Sequence, residues 1–340
     1  SLSGGAGLQV NGITVDDLTV AATTNGIVVV DATDLVSTET LNLSGSSTFD
    51  VNNVGDGVDV DASLSTGLVD LATDADASLT VTSGSGAFGN TKVTSNGTGT
   101  ITVNAAEQSS NDVLLVGSSA FTVTGVANGV DVNASAATDT VSVTTDALAS
   151  GNALAVTTGT ANTTVATGAS NSGATVTVAG ANLDGADTLF LTGGAGFQVN
   201  GLTASGVTVS SSATGTVTVN AADMGPGGGA ETLNLAGSAS YVLENVGANV
   251  TVDATSATGA VDVTTGFNAS LTVRAGTGAS GNLSVTSNGV GTITVDATNQ
   301  VNNKILLDGS SSYDVSSAAV EVVLNDAYTG TGLVKVTTAD

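Results

Sequence analysis

Apolar, mostly β-branched residues alternate with Thr, Asp or Asn along almost the whole chain, and this period of two constrains the fold more than any other feature. It recurs at Val58-Asp59-Val60, Leu79-Thr80-Val81, Ile101-Thr102-Val103, Phe121-Thr122-Val123, Val217-Thr218-Val219, Val261-Asp262-Val263 and Ile293-Thr294-Val295. Successive side chains of a pleated strand point to opposite faces, so each segment buries one row and wets the other. Gly, Asn, Asp or Ser follows these segments, including Asn-Gly pairs at Asn11, Asn25, Asn96, Asn128, Asn200 and Asn288 that suit turns with positive φ. Strand centres recur about every ten residues, the spacing of sandwiches, barrels or solenoids. No segment carries a helical apolar stripe.

A long internal repeat underlies the alternation. Gly4-Gly5-Ala6-Gly7-Leu8-Gln9-Val10-Asn11-Gly12 returns as Gly193-Gly194-Ala195-Gly196-Phe197-Gln198-Val199-Asn200-Gly201, an offset of 193 − 4 = 189. Beyond an insertion at Gly225-Pro226-Gly227-Gly228-Gly229 the offset is 192, and Thr91 to Ala105 aligns with Leu283 to Ala297. The insertion is expected to be a surface loop. Residues 1–188 form one copy, and residues 189–340 form a second, incomplete and continuous with the first.

Two short motifs recur inside the copies. A Gly is followed four residues later by an aromatic or Leu at Gly4/Leu8, Gly45/Phe49, Gly117/Phe121, Gly193/Phe197, Gly237/Tyr241 and Gly309/Tyr313. The chain has only six Phe and three Tyr, and five of them fill this slot, so Phe49, Phe121, Phe197, Tyr241 and Tyr313 are expected in the core. The second motif, Val-(Asp/Asn)-Ala-(Ser/Thr/Ala), starts at Val30, Val60, Val103, Val132, Val219, Val252 and Val295. The expected fold is all-β, a repetitive parallel β-solenoid (β-helix) with about three strands and roughly 30 residues per coil. A tandem array of β-sandwiches is the alternative. Against it stand the lack of Trp and the uneven steps of the first motif, which is much shorter from Gly4 to Gly45 than from Gly45 to Gly117 or from Gly117 to Gly193.

Composition removes most chemistry. With no His and no Cys, a Ser-His-Asp triad, a Cys nucleophile and the usual zinc or haem ligands are all excluded. Four basic residues against 30 acidic ones give a net charge of −26, which repels phosphate backbones and anionic lipid, so no nucleic-acid partner is expected. No apolar run approaches the roughly 18 residues of a membrane span, so no membrane insertion is expected. Hydrophobic residues still make up 41%, enough to fold. An enzyme reading survives only as a carbohydrate-active β-helix built on paired carboxylates, and nine aromatics, five of them in one recurring slot, leave little to bind sugar. No catalytic residue is assigned.

Carboxylates are also the only candidate metal ligands, and their oxygens suit calcium. Asp61 and Asp70 return as Asp253 and Asp262, and Asp34 with Glu39 returns as Asp223 with Glu231. Asp61, Asp70, Asp253, Asp262, Asp34 and Asp223 are therefore the calcium candidates. Asp59, Asp74 and Asp76 become Thr251, Gly266 and Asn268, as acids on a solvated face do; Asp16-Asp17 and Asp56 complete the acidic clusters. Thr-x-Thr segments at Thr80, Thr100, Thr216 and Thr292 are read as solvent-facing strand positions, because their spacing varies along the chain.

Gly4 to Val10 and Gly193 to Val199 resemble the start of the calcium-binding nonapeptide of RTX proteins, with Gln9 and Gln198 in place of the Asp ligand. Strings such as Thr40 to Gly45 and Asp187 to Gly196 resemble the β-solenoid parts of type I-secreted bacterial surface-layer proteins and large adhesins. The resemblance implies export, calcium-assisted folding outside the cell and a structural or adhesive role. The expectation is an extracellular, self-assembling structural protein of a bacterial surface layer or filament, with the stalk of a large adhesin as the alternative. Its partner would be further copies of itself, end to end or in a lattice, with a cell-surface glycan as a further candidate. The second copy stops mid-repeat, and the chain is expected to continue, by sequence or by assembly, past both ends.

Overall fold

The alternation becomes strands throughout. The computed structural model describes residues 1–340 apart from 5–6, 15–16, 86–89, 110, 226–228, 278–280, 302, 326–331, 340 and the side chain of Asn152. Every regular element among the described residues is a β-strand, and no helix is long and apolar enough to cross a membrane. The chain divides into two units, Ser1–Gly168 and Ala169–Asp340.

In the first unit, Leu18–Ala22, Thr40–Gly45, Asp59–Ser65, Leu79–Thr82, Thr100–Asn104, Ala120–Val126, Val141–Thr145 and Thr163–Ala166 pair in that order as one parallel sheet. The strands between them, Ile27–Asp31, Thr48–Val54, Val69–Thr73, Thr91–Thr94, Val113–Gly117, Val132–Ala137 and Gly151–Thr157, form the opposite sheet. The second unit repeats the arrangement. Thr188–Thr192, Thr208–Ser211, Glu231–Gly237, Val250–Ala257, Leu271–Arg274, Thr292–Asp296, Ser312–Ala318 and Val334–Thr338 make one sheet. Ala174–Ala179, Gly196–Asn200, Val217–Asn220, Tyr241–Val246, Val261–Phe267, Leu283–Asn288, Ile305–Asp308 and Val322–Leu324 make the other.

Each unit is thus a parallel β-solenoid, as the repeat implied, and the ladder replaces the antiparallel pairing of a sandwich. Within each unit every strand bonds to the one two places on, and many strands bend at a register shift such as Asn42/Ser44 or Val51/Val54. Past the bend the chain keeps bonding to the next coil, as Ser44 does with Leu64 and Val54 with Thr73, so a coil has about three straight sides.

The coil length differs from the expectation. Within the two units, register partners are as near in sequence as Ile305 and Val322 and at most as distant as Val209 and Leu235, so these coils are shorter than the motif spacing implied. The reason is topological: both short motifs fall on both sheets, so their spacing spans one and a half coils as readily as one. Val30 lies on one sheet and Val60 on the other. The insertion in the second copy leaves the ladder intact. Val20 pairs with Leu43, and the equivalent Val209 pairs with Leu235, so a single coil absorbs the whole insertion. Pro226 to Gly228 lie outside the described residues.

The core is built of side-chain columns running across the ladder. One passes through Leu41, Val60, Val81, Val103, Val123 and Val143, all at most 1% exposed. Each such burial contributes about 1.5 to 3 kcal/mol. Phe49, Phe121, Phe197, Tyr241 and Tyr313 are interior as expected, each at most 1% exposed. Aliphatic or Thr side chains flank each of them in its column, as Ile101 and Val141 flank Phe121, so large and small residues interdigitate. Both tyrosines spend their hydroxyls on backbone: the single O–H of Tyr241 is shared between the carbonyls of Ala236 and Val209, and that of Tyr313 between those of Asp308 and Val285.

The Gly of the aromatic motif is a corner residue. Gly45 and Gly237 have φ of 105° and 92°, and a Cβ there would lie 1.9 Å from the Ala22 carbonyl oxygen and 2.2 Å from that of Ser211. The chain turns from one sheet to the other against the preceding coil, with room only for a hydrogen atom.

Candidate functional site

The Asx of the Val-(Asp/Asn)-Ala motif ends a straight run and holds the corner. Asp31, Asp61, Asn104, Asn133, Asn220, Asp253 and Asp296 each accept, through Oδ1, the backbone N–H two residues on, at 2.9–3.2 Å. This is an Asx turn. The Ala that follows (Ala32, Ala62, Ala105, Ala134, Ala221, Ala254, Ala297) is fully buried in every instance. Asp and Asn alternate in the role, so the corner needs an acceptor oxygen and not a charge.

Two of the six calcium candidates are placed by this geometry. Asp61 and Asp253 are corner acceptors. Asp253 also faces Arg274 on the next coil at 3.1 Å, and Asp70 faces Lys92 at 3.0 Å. Asp34 and Asp223 are exposed in the turns after Ile27–Asp31 and Val217–Asn220, and Asp262 is exposed on the Val261–Phe267 strand. Asp61 and Asp70 lie on opposite sheets. Among the described residues no three carboxylates gather as an ion-holding group. Asp16 lies outside the described residues.

The acids retained or exchanged between the copies carry a signal that sequence reasoning did not separate. Glu39 accepts the Val36 N–H at 2.8 Å, and its counterpart Glu231 accepts the Gly225 N–H at 2.6 Å. Each closes the turn that precedes its strand. Asp76 and its counterpart Asn268 have φ of 57° and 55° and accept the N–H of Thr98 and Val290, one coil on, at 2.8 and 2.7 Å. The exchange of Asp for Asn keeps a left-handed corner and its acceptor. At this one position, what reads as drift on a solvated face is retention of a backbone role.

Local fields follow from these bonds. The Thr33 hydroxyl, then Asn53 and the Thr33 amide, hold Asp31 below the usual carboxylate range, and the Thr98 amide and hydroxyl do the same for Asp76. Partial burial pushes Asp253 up, but Thr255 and Arg274 together outweigh it and leave the carboxyl lowered. Asp112 goes the other way, raised by burial and by the Asp131 carboxylate on the adjacent coil. All four cationic side chains pair with an acid: Lys92 with Asp70, Arg274 with Asp253, Lys304 with Glu321 and Lys335 with Asp314, at 2.9–3.4 Å.

The Thr positions align better than their spacing suggested. Thr80, Thr102, Thr122, Ser142 and Thr164 stand in one register column, although the intervals between them along the chain are unequal. The corners absorb the differences, and the column acts as cross-strand hydroxyl and methyl pairing. No family model, curated protein or solved structure matches the chain.

Proposed function

We propose that this chain is an extracellular structural protein, a β-solenoid that associates with copies of itself in a bacterial surface layer or filament. The observation that supports this most is that the repeated features are consumed by coil geometry. The Gly-to-aromatic motif makes a corner and fills the core, the Val-Asx-Ala motif holds the turns where straight runs end, and the cations tie neighbouring coils. A chain whose recurring residues all build the same coil serves by its form. We assign it no catalytic role. The compositional resemblance to secreted surface-layer proteins supports the location.

With a charge of −26, copies repel one another at low ionic strength, and divalent cations at exposed carboxylates such as Asp34, Asp223 and Asp262 would bring them together. Sedimentation velocity and negative-stain microscopy of the purified chain, with calcium, with magnesium and with sodium chloride at matched ionic strength, test the reading. Ordered assemblies in any of these conditions are expected. A monomer at every concentration and salt would overturn it.

A further inference from the structure

The repeat puts a buried amide in both copies, and each leaves a different atom without a partner among the described residues, Oε1 of Gln108 in the first copy and Nε2 of Gln300 in the second. Gln108 and Gln300 are equivalent (300 − 108 = 192), are 2% and 1% exposed, and close the same turn, each backbone N–H bonding to the carbonyl three residues before it, that of Ala105 or Ala297, at 3.0 Å. In the first copy Gln108 Nε2 donates to Thr91 Oγ1 at 2.8 Å. In the second, Leu283 stands in the place of Thr91, and Gln300 Nε2 has no hydrogen-bond partner among the described residues. The amide lines a recess of about 10 Å³ together with Gly259, Val261, Gly276, Asn282 and Leu283.

The surroundings are otherwise matched. Gly259, Val261, Gly276 and Asn282 correspond to Gly67, Val69, Gly84 and Asn90. Asn90 and Asn282 both use Oδ1 to accept an amide from the next coil, that of Asp112 or Lys304, at 3.1 and 2.9 Å. One substitution, Thr to Leu, therefore accounts for the difference. A buried amide N–H left unpaired is costly, and a recess of roughly 10 to 15 Å³ accommodates a single water.

We infer that Gln300 holds one structural water in this recess, the water taking the place that the Thr91 hydroxyl fills in the first copy. The water accepts from Nε2 and lets the ladder position carry either Thr or Leu. The site selects a small neutral acceptor, because the recess has room for nothing larger and no cation is drawn to an N–H donor.

A high-resolution crystal structure of the full chain tests this directly. A single ordered density peak within about 2.7 to 3.2 Å of Gln300 Nε2, with no equivalent on Gln108 Nε2, is the expected result. The reciprocal variants make the test independent of one refinement: Leu283→Thr should displace the peak, and Thr91→Leu should create one on Gln108 Nε2. A wild-type recess without density, or a Gln300 amide bonded to a protein atom instead, overturns the inference. So does a peak that persists unchanged in Leu283→Thr.

Discussion

At single positions the corners are the sensitive points. Gly45→Ala places a Cβ 1.9 Å from the Ala22 carbonyl oxygen at a φ of 105°, so the backbone of two coils must move. A loss of at least about 1 to 3 kcal/mol is expected, measured by chemical denaturation. Asp253 separates acceptor from charge. Asp253→Asn keeps the turn that Asn104, Asn133 and Asn220 make elsewhere, and loses only the half-exposed Arg274 pair, about 0 to 1 kcal/mol. Asp253→Ala removes the acceptor as well and should cost more, by about 0.5 to 1.5 kcal/mol for each hydrogen bond lost. Asp112 has the opposite sign. Its raised pKa means that the folded state disfavours the charged form, so stability improves as pH falls from neutral through that pKa, and Asp112→Asn should raise the melting temperature at pH 7. Equal melting temperatures for Asp112→Asn and wild type would contradict the placement beside Asp131.

At the scale of the strand, the columns carry the energy. Phe121 is 1% exposed between Ile101 and Val141, and Phe121→Ala should cost about 3 to 5 kcal/mol by the lost transfer and the cavity left behind. A loss within experimental error would place the ring outside the core. The slot was legible because an aromatic four residues after a Gly recurs against a background of very few aromatics. The Asx turn was visible as a motif but not as a role, since its Asp members look like calcium ligands when only composition and spacing are read. Comparing Asp61 with Asn104 and Asn133 within one motif was the available clue, because a metal site would not exchange carboxylate for amide so freely.

For the whole molecule the charge balance sets the response to solution conditions. Thirty acids meet four cationic side chains, and each of those already has a partner, so the remaining carboxylates repel. Raising sodium chloride should increase the melting temperature through screening, an effect checked by calorimetry across ionic strength. Lowering the pH from neutral should act in the same direction while Asp112 takes up its proton. It should reverse below about pH 4, where Asp31, Asp76 and Asp253, whose folded pKa values are lowered, lose the bonds that only their charged forms make at full strength. Stability that rises steadily down to pH 2 would contradict the hydrogen-bonded corners.

The amino-acid sequence by itself determined that this chain is all-β, which residues face inward, which glycines and aromatics recur together, and that it carries no His or Cys. Those properties are local: period two, turn chemistry and residue type are each written within a few neighbouring positions. Only the tertiary structure decided how long a coil is, that its length varies while the ladder stays in register, and that Asp61, Asp253, Glu39 and Glu231 hold backbone turns. These depend on which strand lies beside which, and a parallel coil sets that pairing between segments well separated in sequence, with corners that lengthen or shorten without altering the alternation that can be read along the chain.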